Sequence, residues 1–155
     1  PAACRTNYKK QKNLFKNYKR RVVSMIDIII ATHGNLAEGL KDAVSLVVGE
    51  QENLECIGLR HEDSIDTFIE NVKELAQRTE NDVLFLTDLL GASPYNATAQ
   101  AMNHCKNKKI VSVSGVNLPM VIEAVFKRDT MEVTELADDL VEIASQGIAK
   151  LAFEL

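Results

Sequence analysis

What this chain lacks removes several classes of function. Its three cysteines, Cys4, Cys56 and Cys105, are odd in number, widely separated and in no C-x-x-C pair, so neither a disulfide framework nor a zinc site is indicated. A reducing compartment, the cytoplasm, is the expectation. No apolar run approaches the ~18 residues that would suggest a membrane span. A G-x-x-x-x-G-K-[ST] loop is also missing, which argues against a nucleoside triphosphate as phosphate source. No grouping of His, Cys and carboxylates has metal-ligand spacing, so neither a metal nor a cofactor is expected. Internal repeats, linkers and low-complexity stretches are missing from residues 25–155.

What is present has the make-up of one soluble globular domain: 155 residues, 46% hydrophobic and 26% charged. A chain of this size buries about two-thirds of its unfolded surface. The net charge of −4 hides an asymmetry. Residues 1–24 hold eight Lys or Arg and no acid, whereas ten basic residues face 22 acidic ones from Met25 onward, a net −12. Such an acidic body is a poor nucleic-acid binder, because that affinity comes from clustered Lys and Arg neutralising phosphates. A basic protein partner fits better. The segment 1–24 has no continuous apolar stretch of the kind a secretion signal needs, and Met25 begins a complete strand signal. Residues 1–24 are therefore expected to be a basic N-terminal extension, disordered or non-native, with a domain over residues 25–155. The sharper alternative is a short basic arm for anionic surfaces.

From Met25 on, strand and helix signals alternate. Apolar runs at Ile26 to Ala31, Leu54 to Leu59, Asp82 to Thr87 and Ile110 to Val113 predict four strands. Helical spacing follows each of them. The first helix spans Asn35 to Val48 and ends at Gly49, and the second starts after Ser64 as N-cap. The third opens at Ser93, also expected as an N-cap, with Pro94 where a missing N–H is tolerated, and runs to about Cys105. Asn117-Leu118-Pro119 opens a fourth, and Thr134 is expected to cap a fifth, stopped by Gly147. Near-continuous apolar strands separated by helices predict an α/β fold, a doubly wound, mostly parallel sheet in the order 2-1-3-4 with helices on both faces. Beyond Gly147, residues 148–154 alternate with period two and predict a fifth strand, against which stands a helix continuing to about Leu151.

In such sheets ligands bind outside the carboxyl ends of the strands, where the strand order reverses. The run Ile28-Ile29-Ile30-Ala31-Thr32-His33-Gly34 places a lone histidine there, and Val83 to Pro94 places Asp88 and a glycine-bearing turn at the equivalent point of the third strand. Neighbouring first and third strands would bring His33 and Asp88, 55 positions apart, within hydrogen-bonding reach. A carboxylate accepting from one imidazole nitrogen fixes the tautomer that leaves a lone pair on the other, which makes a directed nucleophile. Backbone amides of Leu90, Gly91, Ala92 and Ser93 lie just before a helix N-terminus and would favour an anion, with the Ser93 hydroxyl as a further donor. Each residue also has a plainer reading. His33 alone would serve as a turn or packing residue, Asp88 as a turn cap and the Gly91 turn as a helix start. His61, on the same edge, reads as part of a solvated loop, His104 as a surface residue at a helix C-terminus, and Cys56 as a small buried hydrophobe.

The segments IDIIIATHGNLAEGL, VGEQENL, DVLFLTDLLGASPYNAT and SGVNLPMVIEA carry a family resemblance over essentially all of residues 25–155. The chain resembles the IIA component of the mannose, fructose and sorbose family of the bacterial phosphoenolpyruvate-dependent sugar phosphotransferase system. The resemblance implies that His33, in the T-H-G position, is the phosphorylated histidine and that Asp88 orients its ring. The GASP turn matches a phosphate-proximal loop usually written G-G-S-P, so Ser93 carries over and Ala92 is a mild departure. Thr32 and Asn117 are further candidates for support at the active edge. It also implies phospho-HPr as donor, a IIB domain as acceptor, an indirect link to the membrane IIC and IID subunits, and a place in the cytoplasm at the periphery of that transporter. The family dimerises by exchanging an antiparallel edge strand, in line with the period-two stretch near the C-terminus. A regulatory IIA-like domain, the phosphocarrier subunit of a dihydroxyacetone kinase and a non-catalytic α/β binding module are the alternatives. A response-regulator receiver needs an acidic cluster where Thr32-His33-Gly34 stands.

Overall fold

The β-branched and aliphatic runs form four strands in the computed structural model, which describes residues 25–151. In chain order the elements are β1 (Asp27–His33), α1 (Leu36–Val48), β2 (Leu54–Leu59), α2 (Ile65–Arg78), β3 (Val83–Thr87), α3 (Ser93–His104), β4 (Ile110–Ser114), α4 (Leu118–Lys127) and α5 (Val133–Gln146). The sheet order is β2-β1-β3-β4 and every pairing is parallel, as expected. The extension at 1–24 and the last residues of the expected fifth strand, 152–154, lie outside the described residues.

Alternation along the central strands divides the core in two. Ile28 and Ile30 of β1 point with Leu84 and Leu86 of β3 toward α1, α4 and α5, where Val44, Met120, Leu136 and Leu140 are buried. Ile29 and Ala31 point with Val83 and Phe85 to the other face, against Phe68 and Val72 of α2 and Ala97 and Ala101 of α3. A sheet covered on both faces explains why β3 is buried at all five positions and shows no polar alternation. The chain leaves β1 for β2 over one face and reaches β4 from β3 over the other. Between β1 and β3 the winding therefore reverses, and their carboxyl ends border a crevice.

Two helix starts differ from expectation. Ala92, not Ser93, is the N-cap of α3: the Asn96 amide donates to the Ala92 carbonyl at 2.9 Å, which begins the helical ladder one residue early and makes Ser93 its first residue. Glu132, not Thr134, occupies the cap of α5, because Val133 is fully buried and is drawn into the helix as a core residue. Ser64 is the N-cap of α2, although its hydroxyl makes no capping bond. Helix α5 stops at Gln146 before Gly147, and 148–151 is neither helix nor strand within this single chain. Among the described residues, no helix is long and apolar enough to cross a membrane.

Candidate active site

Parallel register sets the histidine in place. His33 is the last residue of β1, opposite Leu59 of β2, and the Gly34 amide extends that ladder by donating to the Leu59 carbonyl at 2.9 Å. Gly34 then turns with φ +57°, a left-handed conformation that glycine adopts without Cβ strain. Thr32, fully buried, holds the other side of the turn: its Oγ1 accepts from the Ala37 amide at 2.9 Å, anchoring the first turn of α1. Thr32 thus fixes the segment that presents His33.

Asp88 follows β3 directly and meets His33 twice. One carboxylate oxygen, Oδ2, lies 2.9 Å from the His33 backbone nitrogen and 2.9 Å from its ring Nδ1. The other, Oδ1, accepts from the Leu89 amide at 2.9 Å. Burial pushes the Asp88 carboxyl pKa up, but the hydrogen bonds from the His33 amide and ring outweigh it and hold the group below the usual aspartate value. An ionised Asp88 at Nδ1 selects the tautomer with hydrogen on Nδ1 and the lone pair on Nε2. With a side chain 45% exposed against 16% for Asp88, the ring offers that nitrogen to a partner while its orienting carboxylate stays sheltered.

The loop after Asp88 is built to leave donors open. Gly91 has φ +75°, and the Asn96 side chain holds its carbonyl at 3.0 Å. An alanine N-cap supplies no side-chain acceptor, and Pro94 in the first turn supplies no amide hydrogen. Among the described residues, the amides of Leu90, Gly91 and Ser93 make no hydrogen bond, and the Ser93 hydroxyl makes no capping bond. Unpaired amides at the positive end of α3 are suited to an anion. This loop lies on the β3 side of His33. On the β2 side, the ring borders a cavity of about 400 Å³ with Gly34, Leu59, Arg60 and His61.

The other candidates separate clearly. Asn117 is fully engaged in holding helices together: its Oδ1 accepts from the Met120 amide and its Nδ2 donates to the Ala144 carbonyl, each at 3.0 Å. His104 is exposed at the end of α3, as expected. Cys56 is half-buried, and burial and then Glu38 push its thiol pKa up, the opposite of a reactive thiolate. His61 is exposed as expected, yet it shares the cavity with His33. Arg60 escaped the sequence reading. Its position directly after β2, level with the histidine that ends β1, was the available signal. Among the described residues, no cluster of three or more His, Cys, Asp or Glu is placed to hold a metal ion.

Gly58 determines how closely β2 approaches the turn. A Cβ on Gly58 would collide with the Gly34 carbonyl oxygen, and the turn cannot recoil, because the Gly34 amide is tied to Leu59 and the His33 amide to Asp88. Gly58→Ala is expected to cost about 1–3 kcal/mol, the range for overpacking a fixed contact, and to shift the His33 ring resonances. Denaturant unfolding together with NMR of the histidine side chains checks both. An unchanged midpoint and spectrum would mean that the turn is softer than its bonds imply.

Known proteins bear the same architecture. Residues 27–141 match the family described as "PTS system fructose IIA component". The chain is 30% identical over 127 residues to the fructose-specific EIIA component of Bacillus subtilis, covering 79% of this chain and 84% of that protein. It is 34% identical over 129 residues to the mannose-specific EIIAB component of Escherichia coli, covering 81% of this chain and 39% of that longer protein. Among solved structures, the phosphotransferase-system component EIIA of Streptococcus agalactiae superposes with a TM-score of 0.73 at 34% identity, over 81% of this chain and 97% of that one. The mannose/sorbose-specific IIA subunit of Enterococcus faecalis gives 0.75 at 25% identity, over 85% and 98%. With matches that span the whole sheet and the crevice at its carboxyl edge, the chain belongs to the family of phosphotransferase-system IIA components, phosphocarriers of bacterial sugar uptake.

Proposed function

We propose that this chain takes a phosphoryl group from phospho-HPr onto His33 Nε2 and passes it to a IIB domain, in the cytoplasm at the periphery of a IIC/IID transporter. The observation that carries the reading is the 2.9 Å approach of His33 Nδ1 to Asp88 Oδ2, on a half-exposed ring at the β1/β3 reversal. The Nε2 lone pair attacks phosphorus in line, and the bond from phosphorus to the donor imidazole breaks as the new N–P bond forms. The departing imidazole recovers its electron pair. Asp88 stabilises the positive charge that develops on the His33 ring, and the amides of Leu90, Gly91 and Ser93 receive the equatorial oxygens. The reverse sequence delivers the group to the acceptor.

Incubation with phosphoenolpyruvate, enzyme I and HPr, followed by mass spectrometry, tests this. Acid-labile phosphate on His33 is expected. Base-labile phosphate on Asp88, or none with competent partners, would defeat the reading.

A second copy completes the assembly in this reading. Strand β4 is an open edge, and beside it runs a cleft of about 550 Å³ lined by Val111, Val113, Leu90, Tyr95 and Val141. An antiparallel strand from the C-terminal stretch of a second copy, beginning near Ile148, would pair that edge and cover its apolar neighbours. Sedimentation equilibrium should give a dimer mass; a monomer at micromolar concentration would exclude the exchange.

A further inference from the structure

The cavity that His33 lines is lined also by Arg60. Among the described lysines and arginines, Arg60 alone stands in a loop leaving the carboxyl end of a strand. Lys108, Lys109, Lys127 and Arg128 gather at the opposite edge, before β4 and at the end of α4. Besides His61, the other ionisable side chains in the loops at the active edge are acids, Asp88, Glu62 and Asp63. A phosphoryl group on His33 would therefore bring further negative charge beside an ionised Asp88 within an acidic body, with partial charges from the amides of Leu90, Gly91 and Ser93 on one side only.

We infer that Arg60, which lines the same cavity as His33, is a direct contact for the phosphoryl group carried by His33, and that its guanidinium is paired with Glu38 while that group is absent. The inference rests on His33 as the acceptor. The backbone of Arg60 is tied, because its amide donates to Asp63 Oδ2 at 2.7 Å, and its Nε stands at the edge of the space that a side chain on Gly58 would fill, which the Gly34 carbonyl oxygen also enters. The head is held at one point: Nη2 donates to Glu38 Oε1 at 2.6 Å. Glu38 Oε2 is buried without a hydrogen-bond partner, so the pair uses one prong of a fork that could use two. The remaining N–H donors of Arg60 have no acceptor among the described residues. Both side chains are more than a third exposed, a setting in which an ion pair is weak. A phosphoryl group offers three oxygens to the same donors. Arg60 makes and breaks no covalent bond; it trades part of its pairing with Glu38 for a pairing with phosphate.

The equilibrium of phosphoryl exchange with HPr tests this, read by ³¹P NMR in the full chain with Arg60→Gln, Arg60→Lys and Glu38→Gln. Loss of a charge-assisted contact should shift the equilibrium about tenfold toward phospho-HPr in Arg60→Gln, and less in Arg60→Lys. The phosphohistidine resonance should move in Arg60→Gln. Glu38→Gln, which frees the guanidinium, should raise the phosphorylated fraction. A wild-type equilibrium and a wild-type resonance in Arg60→Gln would overturn the inference. If the unsubstituted chain took no phosphate from competent HPr, the phosphocarrier reading would fall instead. Were Arg60→Gln to unfold, the direction of the Glu38→Gln shift would decide alone.

Discussion

In a His33→Gln protein, phosphoryl uptake from phosphoenolpyruvate through enzyme I and HPr is expected to fall to background while the fold persists. The two halves of this expectation have separate causes. Uptake needs a nitrogen lone pair at the end of β1, and glutamine offers an amide whose nitrogen pair is delocalised and not nucleophilic. The fold depends on little of the ring, because its side chain is 45% exposed and its one polar contact is with Asp88. The backbone bond from the His33 amide to Asp88 survives the change, as does the Gly34 amide bond to Leu59. The loss in stability should be about 0.5–1.5 kcal/mol, one net hydrogen bond. Radiolabelled phosphate transfer and thermal unfolding measure the two halves. Acid-labile phosphate persisting in the variant would move the acceptor elsewhere, with His61, in the same cavity, the first place to look.

Asp88→Asn should slow transfer by about 10²- to 10⁴-fold, the range for removing a group that orients a catalytic imidazole. Asparagine is nearly isosteric, so the loss would come from hydrogen-bond polarity. Both oxygens of Asp88 are acceptors, Oδ2 from the His33 amide and ring and Oδ1 from the Leu89 amide. A side-chain amide has an acceptor at its oxygen only, and its NH₂ donates. Placing its oxygen toward His33 sets NH₂ against the Leu89 N–H; the reverse sets it against the His33 N–H and favours the wrong ring tautomer.

Acid unfolding adds an independent readout. Hydrogen bonds hold the Asp88 pKa below its usual value of 3.8, so its contribution to stability is full above that value and is lost as pH falls through the lowered folded pKa. The stability gap between wild type and Asp88→Asn should narrow as pH falls through that lowered value. Equal transfer rates in the two proteins would remove the orienting role, whatever the stability curves show.

Much of this was legible in the chain because it is written in periodicity. Ile28 to Ala31 and Val83 to Thr87 are buried on both faces, so they appear as unbroken apolar runs, and that pattern points to a central parallel pair. Once β1 and β3 are neighbours, His33 and Asp88 follow from being the residues at their ends. The start of α3 differs from its local signal: Ser93 has the better capping chemistry, but the Asn96 to Ala92 bond sets the N-cap one residue earlier. Thr134 lost the cap to Glu132 for a different reason, the burial of Val133 overriding a local capping preference. Asn117 looked like active-edge support, and only its partners on α4 and α5 show how fully it is engaged. The Arg60–Glu38 pair spans 22 positions and two elements, with no motif to announce it.

The double hold of Asp88 on one residue has a consequence for traffic through the site. A ring pinned at its own backbone amide and at Nδ1 has almost no freedom to swing between two stations. In the proposed relay, a donor and an acceptor must therefore come to the same nitrogen along the same line, and their footprints on this surface must overlap. The two partners cannot be seated together, and the carrier must let go of one before it serves the other.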